Sequence, residues 1–237
     1  VYAQTNDGSA AESGGSKTWG FGKFERLGSV PAVTAQPQDD AVSLGVGETS
    51  EEASFTSTAK GDPAPTRQWQ VKAPGALKFT DLPGETGETL TVDATRNEAG
   101  AKYRAVYSNA AGAVASEAAT LAVEYAPLVL QDPVNVAVTE GANAELAVLA
   151  DGDPTPTVTW QRRVGGFWQD IAPDDDNFEL DGQRLTVLDA NTEQSGTLLR
   201  VKLANPLGSV VSKAARLTVE PKVTIPPGGL DLEDVSL

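Results

Sequence analysis

The sequence predicts an all-β chain built as two tandem antiparallel β-sandwiches behind an extended N-terminal arm. Three observations predict it. The phrase GDPAPTRQWQ at 61–70 returns 91 positions later as GDPTPTVTWQ at 152–161, and a phrase that recurs at domain-sized spacing fixes a repeat architecture before any local assignment. Short runs of alternating apolar and polar residues recur roughly every ten residues, bounded by turn-forming residues, which is the pattern of a β-sandwich. No helical period runs through either copy.

Taken in order, residues 1–29 are rich in Gly, Ser and Ala and read as a flexible arm. Within it, KTWGFGKFER at 17–26 sets Trp19, Phe21 and Phe24 among Lys17, Lys23 and Arg26. Trp19, Phe21, Lys23, Phe24 and Arg26 are the candidate contacts to a protein assembly partner, through a sheet edge or pockets that accept aromatic rings. Residues 30–124 form the first predicted domain. Its strands lie at Ala53–Ala59, Thr66–Val71 around Trp69, Leu90–Val92, Tyr103–Tyr107 and Ala119–Val123. Residues 125–220 form the second and repeat the first segment by segment. Leu146, Val148 and Ala150 stand for Phe55, Ser57 and Ala59, LTV at 185–187 stands for LTV at 90–92, and Asn205 and Gly208 stand for Asn109 and Gly112. The offset grows from 91 to 96, so the extra residues fall in the middle loops, in GGFWQDIAPDDDNFELDGQ. Residues 221–237 are a Pro/Gly-broken tail.

Charge and composition exclude several functions. The net charge is −15, with 13 acids against 7 bases over 30–124 and 14 against 7 over 125–220. Both domains repel phosphate backbones, so no nucleic-acid role is expected. No apolar run approaches the roughly 18 residues of a spanning segment, so membrane insertion is not expected. The chain has no Cys and no His. That removes disulfides, thiolate metal sites and the Ser-His-Asp and Cys-His nucleophile systems. No cofactor is expected.

The repeated phrase resembles the passage between the second and third strands of intermediate-set immunoglobulin domains. In that family a cysteine lies twelve residues before the tryptophan, a position held here by Ser57 and Val148. The second cysteine follows a D-x-G-x-Y-x-C motif. The matching stretches read EAGAKYRA at 98–105 and QSGTLLRV at 194–201, which places Ala105 and Val201 at the cysteine positions and Tyr103 and Leu199 at the corner tyrosine. The N-x-x-G hairpin is present in both copies. The resemblance implies core roles for Trp69, Trp160, Tyr103, Ser57, Ala105, Val148 and Val201. It also implies cores that stand without the family disulfide, whose loss typically costs about 2–5 kcal/mol in a small domain. Val148 and Val201 offset part of that by apolar contact, whereas Ser57 needs a buried hydrogen-bond partner. The first domain is therefore expected to be the less well packed at that point. Cysteine-free copies carrying W-x-D-[IL] (WQDI at 168–171, FTDL at 79–82) are similar to immunoglobulin-like repeats of bacterial surface proteins and of phage particles.

Candidate chemistry is sparse. Asp174, Asp175 and Asp176 form the densest acidic run and are a candidate calcium loop, without the alternating ligands and central Gly of an EF-hand. Lys102 and Lys202 alternate with inward strand positions, which argues against an isopeptide crosslink to replace the disulfide. The expected function is non-enzymatic: an extracellular structural or adhesive element of a bacterial surface or filament. Its arm would anchor it, and its domains would meet a host or cell-surface protein or a glycan. Two alternatives stand beside this: a phage virion protein with projecting domains, and the binding-domain pair of a larger secreted enzyme.

Overall fold

The computed structural model describes residues 2–4, 24–26 and 28–223. Strands β1 (Tyr2–Gln4) and β2 (Phe24–Arg26) pair antiparallel. The rest divides into two compact units, Val1–Ser43 with Glu48–Glu124, and Leu44–Gly47 with Tyr125–Leu237.

The first unit contains β3 (Ser29–Ala35), β4 (Asp40–Leu44), β5 (Glu51–Thr56), β6 (Thr58–Asp62), β7 (Thr66–Lys72), β8 (Thr80–Asp81), β9 (Thr89–Ala94), β10 (Lys102–Asn109) and β11 (Gly112–Ala115). It closes with the first half of β12 (Ala119–Gln131). One layer holds the pairs β3–β6 and β5–β9. The other runs β12-β10-β7-β8, with β11 paired to β10 and β4 to β12. These residues form strands because their apolar positions alternate. In β5, Ala53 and Phe55 point inward while Glu52, Ser54 and Thr56 face out. In β10 the buried residues are Tyr103, Ala105 and Tyr107. That period of two is what a sheet with one wet face requires.

The second unit repeats the plan with β13 (Val136–Thr139), β14 (Ala144–Ala147), β15 (Leu149–Asp153), β16 (Thr157–Val164), β17 (Phe167–Asp170), β18 (Phe178–Asp181), β19 (Arg184–Val187), β20 (Leu198–Asn205), β21 (Gly208–Val211) and β22 (Ala215–Glu220). One layer is β14-β19-β18, and the other β13-β22-β20-β16-β17 with β21 on β20. Two features depart from the sequence reading. The β13–β22 pair is parallel, while the other described pairs of this unit are antiparallel. The inserted loop also contains a true strand, β18, which buries Phe178 and pairs with β19.

The repeated phrase explains itself in the structure. The side-chain amide of Asn109 donates to the carbonyls of Ser29 and Pro63, both at 2.8 Å, and its Oδ1 accepts from the Ala111 amide at 2.9 Å. Asn205 does the same to Tyr125 and Pro154, both at 2.9 Å, and accepts from Leu207 at 3.0 Å. A methyl group on Gly61 would sit 3.0 Å from the Asn109 amide nitrogen and 3.3 Å from the Pro31 Cα. Gly61 therefore leaves room for the Asn109 clamp, while a methyl group on Gly152 would meet Pro156 at 3.1 Å and the Pro127 Cα at 3.3 Å.

Both cores form without sulfur, by different means. Ser57 lies at the break between β5 and β6 and is fully buried. Its hydroxyl donates to the Ala35 carbonyl at 2.9 Å and accepts from the Tyr107 hydroxyl at 2.9 Å. Arg67 Nε donates in turn to the Tyr107 oxygen at 3.1 Å. Tyr103 stacks on Phe55 with ring centroids 4.6 Å apart. In the second unit Leu146, Val148, Trp160, Leu199, Val201 and Leu203 pack as an apolar cluster. Ser57 thus has the buried hydrogen-bond partners that the sequence reading required of it. In the second unit Trp160 Nε1 is buried without a hydrogen-bond partner among the described residues, whereas Trp69 Nε1 donates to the Gly87 carbonyl at 2.8 Å.

Candidate functional site

The sequence-derived core residues are all buried: Ser57, Trp69, Ala105 and Val201 at 0%, Trp160 at 1%, Tyr103 at 3% and Val148 at 5% exposure. None of them is available to a ligand. Trp19, Phe21 and Lys23 lie outside the described residues, and Phe24 and Arg26 fall in β2. In the acidic run, Asp175 is committed locally. It accepts from the Asn177 amide and side chain at 3.1 and 2.8 Å and faces Arg162 Nη1 at 3.2 Å. Those two hydrogen bonds from Asn177, then Arg162, hold its carboxyl below the usual carboxylate range. Asp174 and Asp176 are exposed, and no group of three or more ligating side chains suited to a metal ion forms among the described residues. Burial, and after it the Glu98 carboxylate, raises the Tyr103 phenol.

A site that sequence reasoning missed appears on the outer face of the β7/β10 sheet and again on that of β16/β20. Strand register creates it. Gln70 of β7 lies between Arg104 of β10 and Asp81 of β8. Gln161 of β16 lies in the same way between Arg200 of β20 and Asp170 of β17. In the first unit, Arg104 Nε donates to Gln70 Oε1 at 2.8 Å and Gln70 Nε2 donates to Asp81 Oδ1 at 2.7 Å. In the second, Arg200 Nε donates to Gln161 Oε1 at 2.8 Å and Gln161 Nε2 donates to Asp170 Oδ1 at 2.7 Å. The Arg104 guanidinium lies 4.0 Å from the Phe79 ring centroid, and that of Arg200 lies 4.1 Å from the Trp168 ring.

The W-x-D-[IL] phrase builds this arrangement. Its last residue returns a backbone hydrogen bond to the core tryptophan strand, Leu82 to Trp69 at 2.9 Å and Ile171 to Trp160 at 2.8 Å. That docking sets the aspartate opposite the glutamine and the aromatic ring over the arginine. Each guanidinium is thus fixed on one edge and one face, and neither of its Nη groups donates to a described residue. Gln161 is buried and three of the four hydrogen bonds are partly buried. A hydrogen bond to a charged group contributes about 1.5–3 kcal/mol, less where exposed, and an exposed cation–π contact about 0.5–1 kcal/mol. What the array supplies is a pre-oriented planar cation beside an aromatic ring, chemistry suited to holding an anion rather than to bond cleavage. The signal was present in the sequence as a Gln following each core Trp and an Arg beside each second cysteine position, residues that also fit a fold motif.

The geometry defines a class: the chain is a tandem of immunoglobulin-like domains that lack the disulfide. Residues 127–219 match the family model of the immunoglobulin I-set domain. Among particular relatives, the chain is 42% identical over 201 residues to Endoglucanase C of Cellulomonas fimi, a match covering 84% of this chain and 17% of that protein. It is 31% identical over 153 residues to human Hemicentin-1, covering 64% of this chain and 3% of that one. The chain therefore spans less than a fifth of the length of either relative. A three-domain immunoglobulin segment of titin superposes with a TM-score of 0.50 at 16% identity, covering 81% of this chain and 66% of that one, and shows the fold. No helix among the described residues is long and apolar enough to cross a membrane.

Proposed function

We propose that the chain is a non-catalytic, extracellular pair of domains that spaces and docks the parts of a larger, polysaccharide-acting protein. The observation that carries this reading is the 42% identity to Endoglucanase C. It extends over 201 residues, more than either unit alone holds, yet makes up only 17% of that enzyme. The fold agrees, since a sandwich of this kind serves as a scaffold for grafted binding sites. Among the expectations from sequence, this favours the domain pair of a secreted enzyme. The virion reading gains nothing from these relatives. The test is to join the pair to an endoglucanase catalytic domain and compare hydrolysis with and without it. Hydrolysis of soluble carboxymethylcellulose is expected to be unchanged, while retention on insoluble cellulose and hydrolysis of it rise. Equal retention and equal rates on both substrates would remove the reading.

A second reading, cell-surface adhesion, draws on the similarity to Hemicentin-1 and to rat neuronal cell adhesion molecule, 26% identical over 163 residues. Beads coated with the chain would then cluster or adhere to cells, and inert beads would exclude it. In either setting the segment around Trp19 is the proposed contact to an assembly partner. Deleting residues 1–29 tests it by loss of incorporation into the parent assembly.

A further inference from the structure

The two cores differ around the missing disulfide, although Ala53, Trp69, Leu90, Ala119, Leu121 and Val123 recur as Ala144, Trp160, Leu185, Ala215, Leu217 and Val219. Phe55, Ser57, Tyr103, Ala105 and Tyr107 are replaced by Leu146, Val148, Leu199, Val201 and Leu203. Gln70, Asp81 and Arg104 recur unchanged as Gln161, Asp170 and Arg200, and the ring recurs as Phe79 and Trp168. Matching hydrogen bonds agree to 0.1 Å between the units. On the same face Gln68, Val106 and Ser108 give way to Thr159, Lys202 and Ala204, so the array is the part of this face that recurs while its neighbours change.

Charge points the same way. Strand positions sharing the face with Gln70 and Arg104 include Lys72 and Lys102, which pair with each other in register. Those sharing it with Gln161 and Arg200 include Arg163 and Lys202. Each face thus gathers three cations around one aspartate, in a domain whose net charge is −6 or −7. In the second unit the other layer turns Glu145, Glu179 and Asp181 outward around Arg184. The arginine faces are the local positive ground of an acidic molecule, so their occupant is anionic.

We propose that the face centred on Arg104 in the first unit, and its repeat centred on Arg200 in the second, are binding sites for a carboxylate-bearing polysaccharide of the uronic-acid type. The free Nη edge of each guanidinium accepts a carboxylate in two parallel hydrogen bonds. The neighbouring ring offers a surface to the C–H side of the sugar. The second oxygen of Asp81 or Asp170, with Thr66 and Ser108 or Thr157 and Thr159 on the same faces, meets sugar hydroxyls. Because Gln and Asp already hold the arginine, binding loses little side-chain entropy. The choice of a glycan over an acidic peptide rests on the polysaccharide setting proposed above, together with the ring and the hydroxyl-bearing surround.

Affinity electrophoresis of the full chain through gels containing polygalacturonate, hydroxyethylcellulose or poly-glutamate tests this. Polygalacturonate is expected to retard the chain in a salt-sensitive manner, with little retardation by the other two polymers. Arg104→Gln with Arg200→Gln should weaken retardation about tenfold or more, and each single change should lose part of it. Arg104→Lys with Arg200→Lys should also weaken it, since a lysine keeps the charge and loses the fork. Unchanged thermal unfolding confirms that the variants are folded. The proposal is overturned by absent retardation of the wild type, by a double glutamine variant that binds like wild type, or by equal retardation in poly-glutamate. The outcome is separable from that of the cellulose-retention test. Retention surviving the double arginine change while polygalacturonate binding is absent sinks only this site. Polygalacturonate binding through the arginines without any gain on cellulose sinks only the enzyme-associated reading.

Discussion

Removing the Tyr107 hydroxyl should loosen the first domain and leave the second untouched. Tyr107 and Ser57 are 1% and 0% exposed, and their hydroxyls are 2.9 Å apart. Tyr107→Phe deletes the donor to Ser57 and the acceptor of Arg67 Nε, while Ser57 keeps its bond to the Ala35 carbonyl. One buried bond is worth about 1 kcal/mol net, and stranding the partner's lone pair adds to it, for a total of about 1.5–2.5 kcal/mol. In a domain of this size that lowers the unfolding midpoint by about 10 °C. Ser57→Ala should cost a similar amount, and the double variant little more than either single change, giving a coupling of about 1.5–2 kcal/mol. Hydrogen exchange read by mass spectrometry separates the domains. Peptides from β10 should lose protection while those from β20 hold theirs. Strictly additive single changes, or a Tyr107→Phe protein exchanging like wild type, would refute the account of how this core manages without sulfur.

Trp69→Phe breaks the bond to Gly87, whereas Trp160→Phe removes an indole N–H that has no partner. Urea unfolding should show the first change costing about 1–3 kcal/mol more than the second. Asp175 has a depressed folded pKa, so it contributes stability above the unfolded value of 3.8 that is lost as pH falls through the folded pKa. Carboxyl NMR should place its midpoint below 3.8, and Asp175→Asn should flatten that acid limb. Tyr103 is raised above 10.0 by burial and by Glu98, so its contribution is present below pH 10.0 and lost as pH rises through the folded value. Ultraviolet titration should show Glu98→Gln lowering that midpoint. Ala105→Val should destabilise the first domain by about 1–3 kcal/mol through overpacking, although valine is the residue at the matching position of the second. Chemical denaturation checks it.

Much of the fold was legible because the chain states it twice, and two imperfect copies filter out local accidents. What escaped depended on pairing. The sequence reading followed the cysteine positions and so looked for Ser57 opposite Ala105. The structure supplies Tyr107 instead, two residues further along the same inward side of β10. Strand β18 was hidden by the Asp and Pro around it, although Phe178 is buried. Asp175 stood as a weak calcium candidate, and the structure commits it to Asn177 two residues on and to Arg162 of β16. The candidate site was illegible because its members are distant in sequence. Gln70 stands 11 residues from Asp81 and 34 from Arg104, and only sheet register makes them neighbours.

Around the missing disulfide the two cores show buried residues changing as a group. Where the first unit has the small Ser57 and Ala105, it surrounds them with Phe55, Tyr103 and Tyr107. Where the second has the larger Val148 and Val201, the same surroundings are Leu146, Leu199 and Leu203. Interiors are close-packed, so a core position answers to the volume its neighbours leave, and compensated changes are tolerated. A core can therefore drift as a group while its sandwich stays intact. An outer sheet face carries no such volume constraint, and its residues are free to drift singly. That Gln, Asp, Arg and an aromatic ring stay together in both units, while their neighbours Gln68, Val106 and Ser108 on that face become Thr159, Lys202 and Ala204, is the reason to assign the array a partner in addition to its share in stability.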